Sequence, residues 1–226
     1  MKTKRIKQYI GIGFALVLLL SILNSCAPVF SDLQSARTAG KGRVEVTPSY
    51  SRVSMSSEGS TEALQNHFGL QAAYGITRKI DLRLRYEFIG FADEEFRDEL
   101  GQFHIWGVGP KVNLIPDMLS LYVPVGGILN SEDADGANME LQPTVLFTYP
   151  MFNNILDLNL SAKYLIFLSG DNDQSWIAVN FGIALGRDVT NLAIRPEYGI
   201  LFSPGEEGSY RHFSIGITKY FGKEKM

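Results

Sequence analysis

The stretch "KIDLRLRYEF", residues 79–88, alternates charged side chains with apolar or aromatic ones at every position. Because successive side chains of a β-strand point to opposite faces, one face of this strand is apolar. The opposite face carries the charges of Asp81, Arg83, Arg85 and Glu87. The stretch therefore predicts a strand with an apolar environment on one side and charge partners on the other.

The first 25 residues have the composition of an export signal. Four basic residues lie within the first seven positions, and an apolar run follows from Ile10 to Leu23. That run is shorter than the ~20 residues of a membrane-spanning helix and has the flanks of a secretory signal. We therefore expect residues 1–25 to be a signal peptide and the chain to be exported.

The segment "LNSC", residues 23–26, resembles the lipobox of bacterial lipoproteins. Leu23 lies three residues before Cys26, and the small Ser25 directly precedes it. The resemblance implies that Cys26 is the lipidated first residue of the mature chain; ordinary signal cleavage nearby is the alternative. Residues 26–41 have no alternation and are expected to form a lipidated tether. Cys26 is the only cysteine, so the monomer has no disulfide.

The charge balance argues against nucleic acid as a partner. Four of the 21 basic residues and none of the 24 acidic ones lie in the leader, so the rest of the chain has a formal net charge of −7. Acidic segments at 133–136 and 171–173 lack the further ligands of a calcium loop, so no metal site is assigned. No cofactor is expected either.

After residue 42 the alternating pattern returns repeatedly and predicts ten strands. Their expected ranges are 43–53, 65–76, 79–91, 102–115, 118–129, 138–149, 155–168, 175–187, 191–202 and 210–221. Short links alternate with five longer polar ones, "SSEGSTEA", "ADEEFRDEL", "NSEDADGA", "SGDNDQ" and "SPGEEG". These five carry 14 of the 24 acidic residues and one basic residue.

Apolar and polar faces on every strand are compatible with two kinds of barrel. A soluble lipid carrier would line its cavity with the apolar faces and present Lys- and Glu-rich faces to water. Here the polar faces are rich in Gly, Ala, Ser and Asn, which favours a narrow packed interior. An even number of long strands, with short turns at one end and long links at the other, is typical of a transmembrane β-barrel.

Together with the secretory start, the ten segments and the final "YRHFSIGITKYF", residues 210–221, resemble the outer-membrane β-barrel proteins of Gram-negative-type bacteria. The resemblance covers Arg43 to Phe221 and implies an all-β, ten-stranded, antiparallel up-and-down transmembrane barrel formed by residues 42–226. It further implies a multi-pass protein of the cell outer membrane, in contact with outer-membrane lipid. A fold class of this kind does not specify an activity.

The register of the strands predicts a set of inward-facing charges. Six are acidic and five are basic, which suits charges that must find partners in a poorly hydrated space. The set comprises Glu45, Asp81, Arg83, Arg85, Glu87, Lys111, Glu140, Asp157, Lys163, Arg195 and Glu197. A ten-stranded barrel is narrow, so these side chains predict a closed interior rather than a wide pore. A narrow channel and an apolar ligand carrier stay open as alternatives.

The interior also offers candidate catalytic residues. His212 and Ser214 share the inward face near the long-link end, and His67 and Glu140 are expected nearby. A serine beside a histidine that a carboxylate orients is the arrangement of hydrolytic catalysis. The spacing resembles that of outer-membrane lipid A deacylases, but the acidic residue those enzymes use downstream has no clear counterpart. A structural role, or interaction with an envelope protein through the acidic extracellular links, is favoured over this lipid hydrolase.

Overall fold

The computed structural model describes residues 31–57, 60–92, 102–129, 139–168, 175–206 and 208–223. Within these ranges twelve strands are present. They are β1 (Val44–Ser57), β2 (Ser60–Gly75), β3 (Ile80–Phe91), β4 (Phe103–Ile115), β5 (Leu119–Tyr122), β6 (Val125–Leu129), β7 (Met139–Leu141), β8 (Thr144–Met151), β9 (Leu156–Phe167), β10 (Trp176–Asp188), β11 (Leu192–Phe202) and β12 (Ser209–Phe221).

The strands close into a barrel with ten positions. Two positions are each shared by two short strands, because β5 and β6 both pair with β4, and β7 and β8 both pair with β9. The interruptions fall at Pro124 and Pro143, where the chain lacks a backbone donor for the ladder. The first and last strands pair antiparallel along most of their length, with Val44 opposite Phe221. The predicted closed, ten-stranded antiparallel barrel is confirmed.

Side chains sort between the two faces as the alternation predicted. In β3, Leu82 and Leu84 are exposed on the outside, whereas Asp81 and Arg83 are buried inside. The same sorting holds around the barrel, so a broad apolar surface surrounds a polar interior. None of the described residues belongs to a helix long and apolar enough to span a bilayer.

The two ends of the barrel differ in their connections. Turns after β2, β4, β8 and β10 are short, and they form what we call the short-turn end. The opposite, long-link end carries the acidic connections, most of which lie outside the described residues. The link predicted at 56–63 is shorter than expected, because β1 continues to Ser57 and β2 resumes at Ser60. Polar composition there reflects strands that extend past the apolar band rather than a loop.

A segment before the first strand lies inside the barrel. Residues 31–39, here called the lumen segment, are buried with the partial exception of Thr38. The chain enters at the short-turn end, where Gly42 N donates to Gly75 O at 2.7 Å and Gly75 N donates to Arg43 O at 3.0 Å. The described part of the lipidated tether expected over residues 26–41 therefore lies inside the barrel. The remainder of the predicted tether, including Cys26, and the predicted signal peptide lie outside the described residues.

Nearer the long-link end, apolar side chains form most of the inner face, although Gln65 and Glu140 are also buried there. One cluster joins Val53, Leu165, Ala178 and Leu201, with Trp176 and Tyr210 packed against it. A second joins Ile89 and Ile105, with Phe103 and Ile128 beside them. The interior thus has two parts, a polar half around the lumen segment and an apolar half toward the long links.

Candidate functional site

The structure places the predicted inward charges inside the barrel. Ten of the eleven are buried, and Arg85 is partly buried with a side-chain exposure of 10%. Each comes from a strand position that the alternation assigned to the interior. Burial of so many charges requires partners, because an isolated buried charge is strongly unfavourable.

Several of these charges pair with each other across or along the wall. Arg83 Nη2 on β3 donates to Glu45 Oε1 on β1 at 2.6 Å, across the intervening strand β2. Within the single strand β3, Arg85 Nη2 donates to Glu87 Oε1 at 2.6 Å. The first of these charge-assisted bonds joins β1 and β3, and the second lies within β3, both in the polar half of the lumen.

The first residues of the lumen segment, which lie farthest from the short-turn end, are held by side chains from facing strands. Lys163 Nζ lies 3.0 Å from Asp32 Oδ1, and Asn180 Nδ2 donates to Asp32 Oδ2 at 2.7 Å. The backbone amides of Asp32 and Leu33 each donate to a different oxygen of the Glu197 carboxylate at 2.7 Å. Glu197 therefore binds the segment's main chain as a bidentate acceptor. Leu33 has a positive φ of 50°, which marks a bend at this point.

The middle of the lumen segment is bound through its backbone. Ala36 N donates to Thr148 Oγ1 at 2.7 Å, and Ala36 O accepts from Asn113 Nδ2 at 3.0 Å and from Ser120 Oγ. Lys111 Nζ donates to the carbonyl oxygens of Ser35 and Arg37. The wall thus satisfies main-chain groups that strand pairing cannot reach.

At the short-turn end, the segment contributes a cation of its own. Arg37 Nε donates to Asp157 Oδ2 at 2.9 Å, and Arg37 Nη2 donates to Asp157 Oδ1 at 3.1 Å and to Asn154 Oδ1 at 2.9 Å. Two residues on, Ala39 N donates to Asp81 Oδ2 at 3.0 Å. Sequence reasoning missed Asp32 and Arg37, although one extra acid and one extra base preserve the balance of the interior.

The charge state of Asp32 follows from its surroundings. Burial by itself would raise the pKa of this carboxyl, but the Lys163 ammonium and the Ser161 hydroxyl hold the pKa below its ordinary value. Asp32 is therefore ionised at neutral pH and keeps its charge-assisted contacts to the wall.

The catalytic candidates are only partly brought together. His212 Nδ1 and Ser214 Oγ lie 2.6 Å apart, and His212 Nε2 lies 3.0 Å from Asn180 Oδ1. His67 is hydrogen-bonded to Gln65 and lies 3.5 Å from Glu87 Oε2, and Glu140 accepts from Gln142, so neither completes a triad with Ser214. The Ser214 side chain is also fully buried, and its hydroxyl donates to Ser51 Oγ at 2.6 Å. In this geometry Ser214 belongs to a polar network in the wall.

The described residues contain no group of three or more His, Cys, Asp and Glu side chains arranged to hold a metal ion. The acidic links at 133–136 and 171–173 lie outside them. Seven buried side-chain atoms have no hydrogen-bond partner in the described part of the chain, among them Arg43 Nε and Arg195 Nη1. The first of these two atoms lies at the short-turn end, beside the point where the lumen segment enters.

No family model and no curated protein matches the chain. Among solved structures, it is similar to an outer membrane channel from Pseudomonas putida F1, with 12% identity, a TM-score of 0.47, and coverage of 87% of this chain and 100% of the other. It is also similar to the translocator domain of the autotransporter NalP from Neisseria meningitidis, with 9% identity, a TM-score of 0.44, and coverage of 95% and 96%. The attachment invasion locus protein of Yersinia pestis is a third, with 15% identity, a TM-score of 0.37, and coverage of 80% and 99%.

The chain is a closed barrel of outer-membrane architecture. Its own geometry supports this statement, because apolar side chains cover the outside, closure leaves no unpaired edge, and polar groups face inward. The similarity of the chain to these solved structures is one of fold. Chemically, the interior is suited to holding the lumen segment in place through ionic and backbone contacts.

Proposed function

We propose that the protein is an outer-membrane β-barrel lipoprotein with a closed, charge-paired interior, and that it has a structural or interaction role through its acidic extracellular links. The observation that supports this proposal most is the position of the lumen segment. Its backbone and side chains bind wall residues on β3, β4, β5, β8, β9, β10 and β11. An interior filled in this way favours a scaffold over a conduit.

Membrane placement follows from the two faces of the barrel. Large apolar side chains such as Phe68, Leu84 and Phe181 are more than half exposed on the outside. Such a surface is unfavourable in water but matches the hydrocarbon region of a bilayer. The long polar connections lie at the end opposite the short turns. In outer-membrane barrels the long connections are extracellular and the short turns are periplasmic, so we assign the same orientation here.

Ion conductance in planar bilayers tests the closed interior. The purified barrel should insert without producing discrete current steps, and the Asp32→Ala, Arg37→Ala double variant should show intermittent openings because both ionic anchors of the lumen segment are gone. The Tyr50→Phe variant is the control, since Tyr50 lies on the outer face. Stable steps of conductance from the unmodified protein would overturn the closed interior and favour the narrow-channel alternative.

The lipid anchor is a separate part of the proposal. The lipobox-like "LNSC" and the absence of any other cysteine make Cys26 the acceptor. Metabolic labelling with an alkyne fatty acid should mark the wild-type protein in the outer-membrane fraction and leave a Cys26→Ser variant unlabelled. Equal labelling of both proteins, or of neither, would contradict lipidation at this position.

The lipid hydrolase is less well supported than the scaffold. A substrate would have to reach a serine that lies buried beneath the apolar half of the interior. A His212→Ala variant should therefore leave the lipid composition of the outer membrane unchanged, as measured by mass spectrometry of extracted lipids. A change in acyl-chain number that depends on both His212 and Ser214 would reverse this preference.

A further inference from the structure

A pocket opens at the short-turn end, where the lumen segment meets the wall. Its volume is about 330 Å³, and Arg37, Arg43, Arg78, Asp117, Thr190 and Tyr220 are among its lining residues. Three guanidinium groups thus share one polar concavity with a single carboxylate. This pocket is separate from the buried ion pairs in the middle of the barrel.

The three arginines differ in the groups that already bind them. Arg37 is bound by the Asp157 carboxylate and lies 3.5 Å from Asp117 Oδ2. Arg43 instead donates from Nη2 to the carbonyl oxygen of Thr190 at 2.7 Å, and its guanidinium carbon lies 5.0 Å above the Tyr220 ring. A backbone carbonyl and an aromatic face orient this cation without neutralising its charge.

A second observation points to a ligand at the same place. Arg43 Nε is buried and has no hydrogen-bond acceptor among the described residues. The buried Nε is itself shielded from the pocket, but without a further acceptor the guanidinium keeps a positive charge that an anion in the pocket would stabilise. Arg78 is exposed on the adjacent turn and lines the same pocket, so that it can approach from the side open to solvent.

We propose that this pocket binds a small soluble oxyanion, a molecule that carries a phosphate or a carboxylate group. The planar, forked donors of arginine fit both groups in the same bidentate way. The volume lies at the lower end of the range for small-molecule sites. The bound anion would lie between Arg37 on the lumen segment and Arg43 and Arg78 on the wall, and would thereby join the two.

Calorimetric titration of the full-length barrel in a zwitterionic detergent tests the proposal. Inorganic phosphate and succinate are titrated separately at low ionic strength, with sodium chloride as the control for general charge screening. Saturable binding of at least one of the two anions is expected. The anion that saturates at the lower concentration tells whether the pocket prefers phosphate or carboxylate, whereas saturation by neither overturns the proposal.

Two variants and a matched control assign the binding to the pocket. Arg43→Gln and Arg78→Gln should each weaken binding about tenfold, as expected for the loss of one charge-assisted hydrogen-bonding partner. Arg187→Gln removes an exposed arginine at the same end that does not line the pocket, and should leave binding within about twofold of wild type. Equal weakening by all three variants would show non-specific attraction and overturn the site.

The Arg78 variant also keeps the test independent of folding. Arg78 lies in an exposed turn, so its replacement should leave the heat-modifiable compact band of the barrel on gels unchanged. If the Arg43 variant loses this band, the Arg78 variant decides the result. Binding by Arg78→Gln at wild-type strength would then count against the proposal.

Discussion

The two halves of the barrel interior are closed by different kinds of interaction. The half toward the short turns is filled by the lumen segment, which is held by ion pairs and by hydrogen bonds to its backbone. The half toward the long links is closed by apolar side chains that pack against each other. Directional contacts fix one arrangement of a chain, whereas apolar contacts depend mainly on volume. One barrel interior thus combines a half in which polar contacts specify the position of the lumen segment with a half that apolar packing closes without such specificity.

The largest effect is expected from breaking a buried ion pair in the polar half. Replacing Arg83 with Ala leaves Glu45 buried without its main partner and should lower the free energy of unfolding by about 3–5 kcal/mol. Guanidinium unfolding of the barrel in phospholipid vesicles, followed by tryptophan fluorescence, measures the loss. The Glu45→Gln, Arg83→Met double variant should recover a large part of it. A loss below about 1 kcal/mol in the single variant would show that the pair is dispensable.

In the apolar half, the corresponding change removes packing rather than charge. Leu201→Ala should cost about 2–4 kcal/mol, because it removes buried methyl groups and leaves a cavity. Leu192→Ala on the same strand is the control, since Leu192 is 48% exposed on the outer face and its loss opens no cavity. The same unfolding assay applies. Equal losses for the two leucines would mean that the apolar cluster is not tightly packed.

A glycine pair tests how closely the chain approaches the wall at Gly40, directly after the lumen segment. A Cβ at Gly75 would lie 1.9 Å from the Gly40 carbonyl oxygen, whereas a Cβ at Gly90, toward the long links, meets nothing within 4 Å. Gly75→Ala should therefore destabilise the barrel by about 1–3 kcal/mol, and Gly90→Ala should have little effect.

The same glycine pair has a second readout. A Ser35→Cys reporter in a Cys26→Ser background should react faster with a water-soluble maleimide when Gly75 is replaced, because the segment's entry is displaced. Gly90→Ala should leave the reaction rate of this reporter unchanged. Slow labelling in both glycine variants would show that the wall yields instead of the segment.

The smallest expected difference separates two buried threonines on one strand. Thr148→Val removes the acceptor of the Ala36 amide and should cost about 1–2 kcal/mol, since a buried N–H group is left unpaired. Thr144 Oγ1 donates to Gln142 O, two residues earlier in the chain and outside the lumen segment, so Thr144→Val should cost less. Hydrogen exchange of the Ala36 amide, faster in the first variant than in the second, checks the cause as well as the size.

The sequence predicted the wall of the barrel well because alternation reports the environment of each face. It predicted every strand position and the inward direction of charges such as Asp81 and Arg83. It missed the lumen segment for a physical reason. That segment is bound largely through main-chain groups of Leu33, Ala36 and Ala39, and backbone contacts leave no periodic pattern of side chains.

The site was predictable only in part for a related reason. The pairing of His212 with Ser214 follows from their separation by two positions on one strand. The partner of Lys163 does not, because Asp32 lies on a segment with no register to count from. The nearly equal numbers of inward-facing acidic and basic residues indicated that the buried charges are paired, but not which residues pair with each other.

The enclosed lumen segment constrains the order in which the barrel can be assembled. Hairpins between sequential strands form from local contacts, but the amides of Asp32 and Leu33 meet Glu197 across separations of 165 and 164 positions. The contacts of the lumen segment with Glu197 can therefore form only after β11 is in place, late in assembly. Pairing of β12 with β1 and binding of the segment are then both late steps, and the segment acts as an internal template for barrel closure.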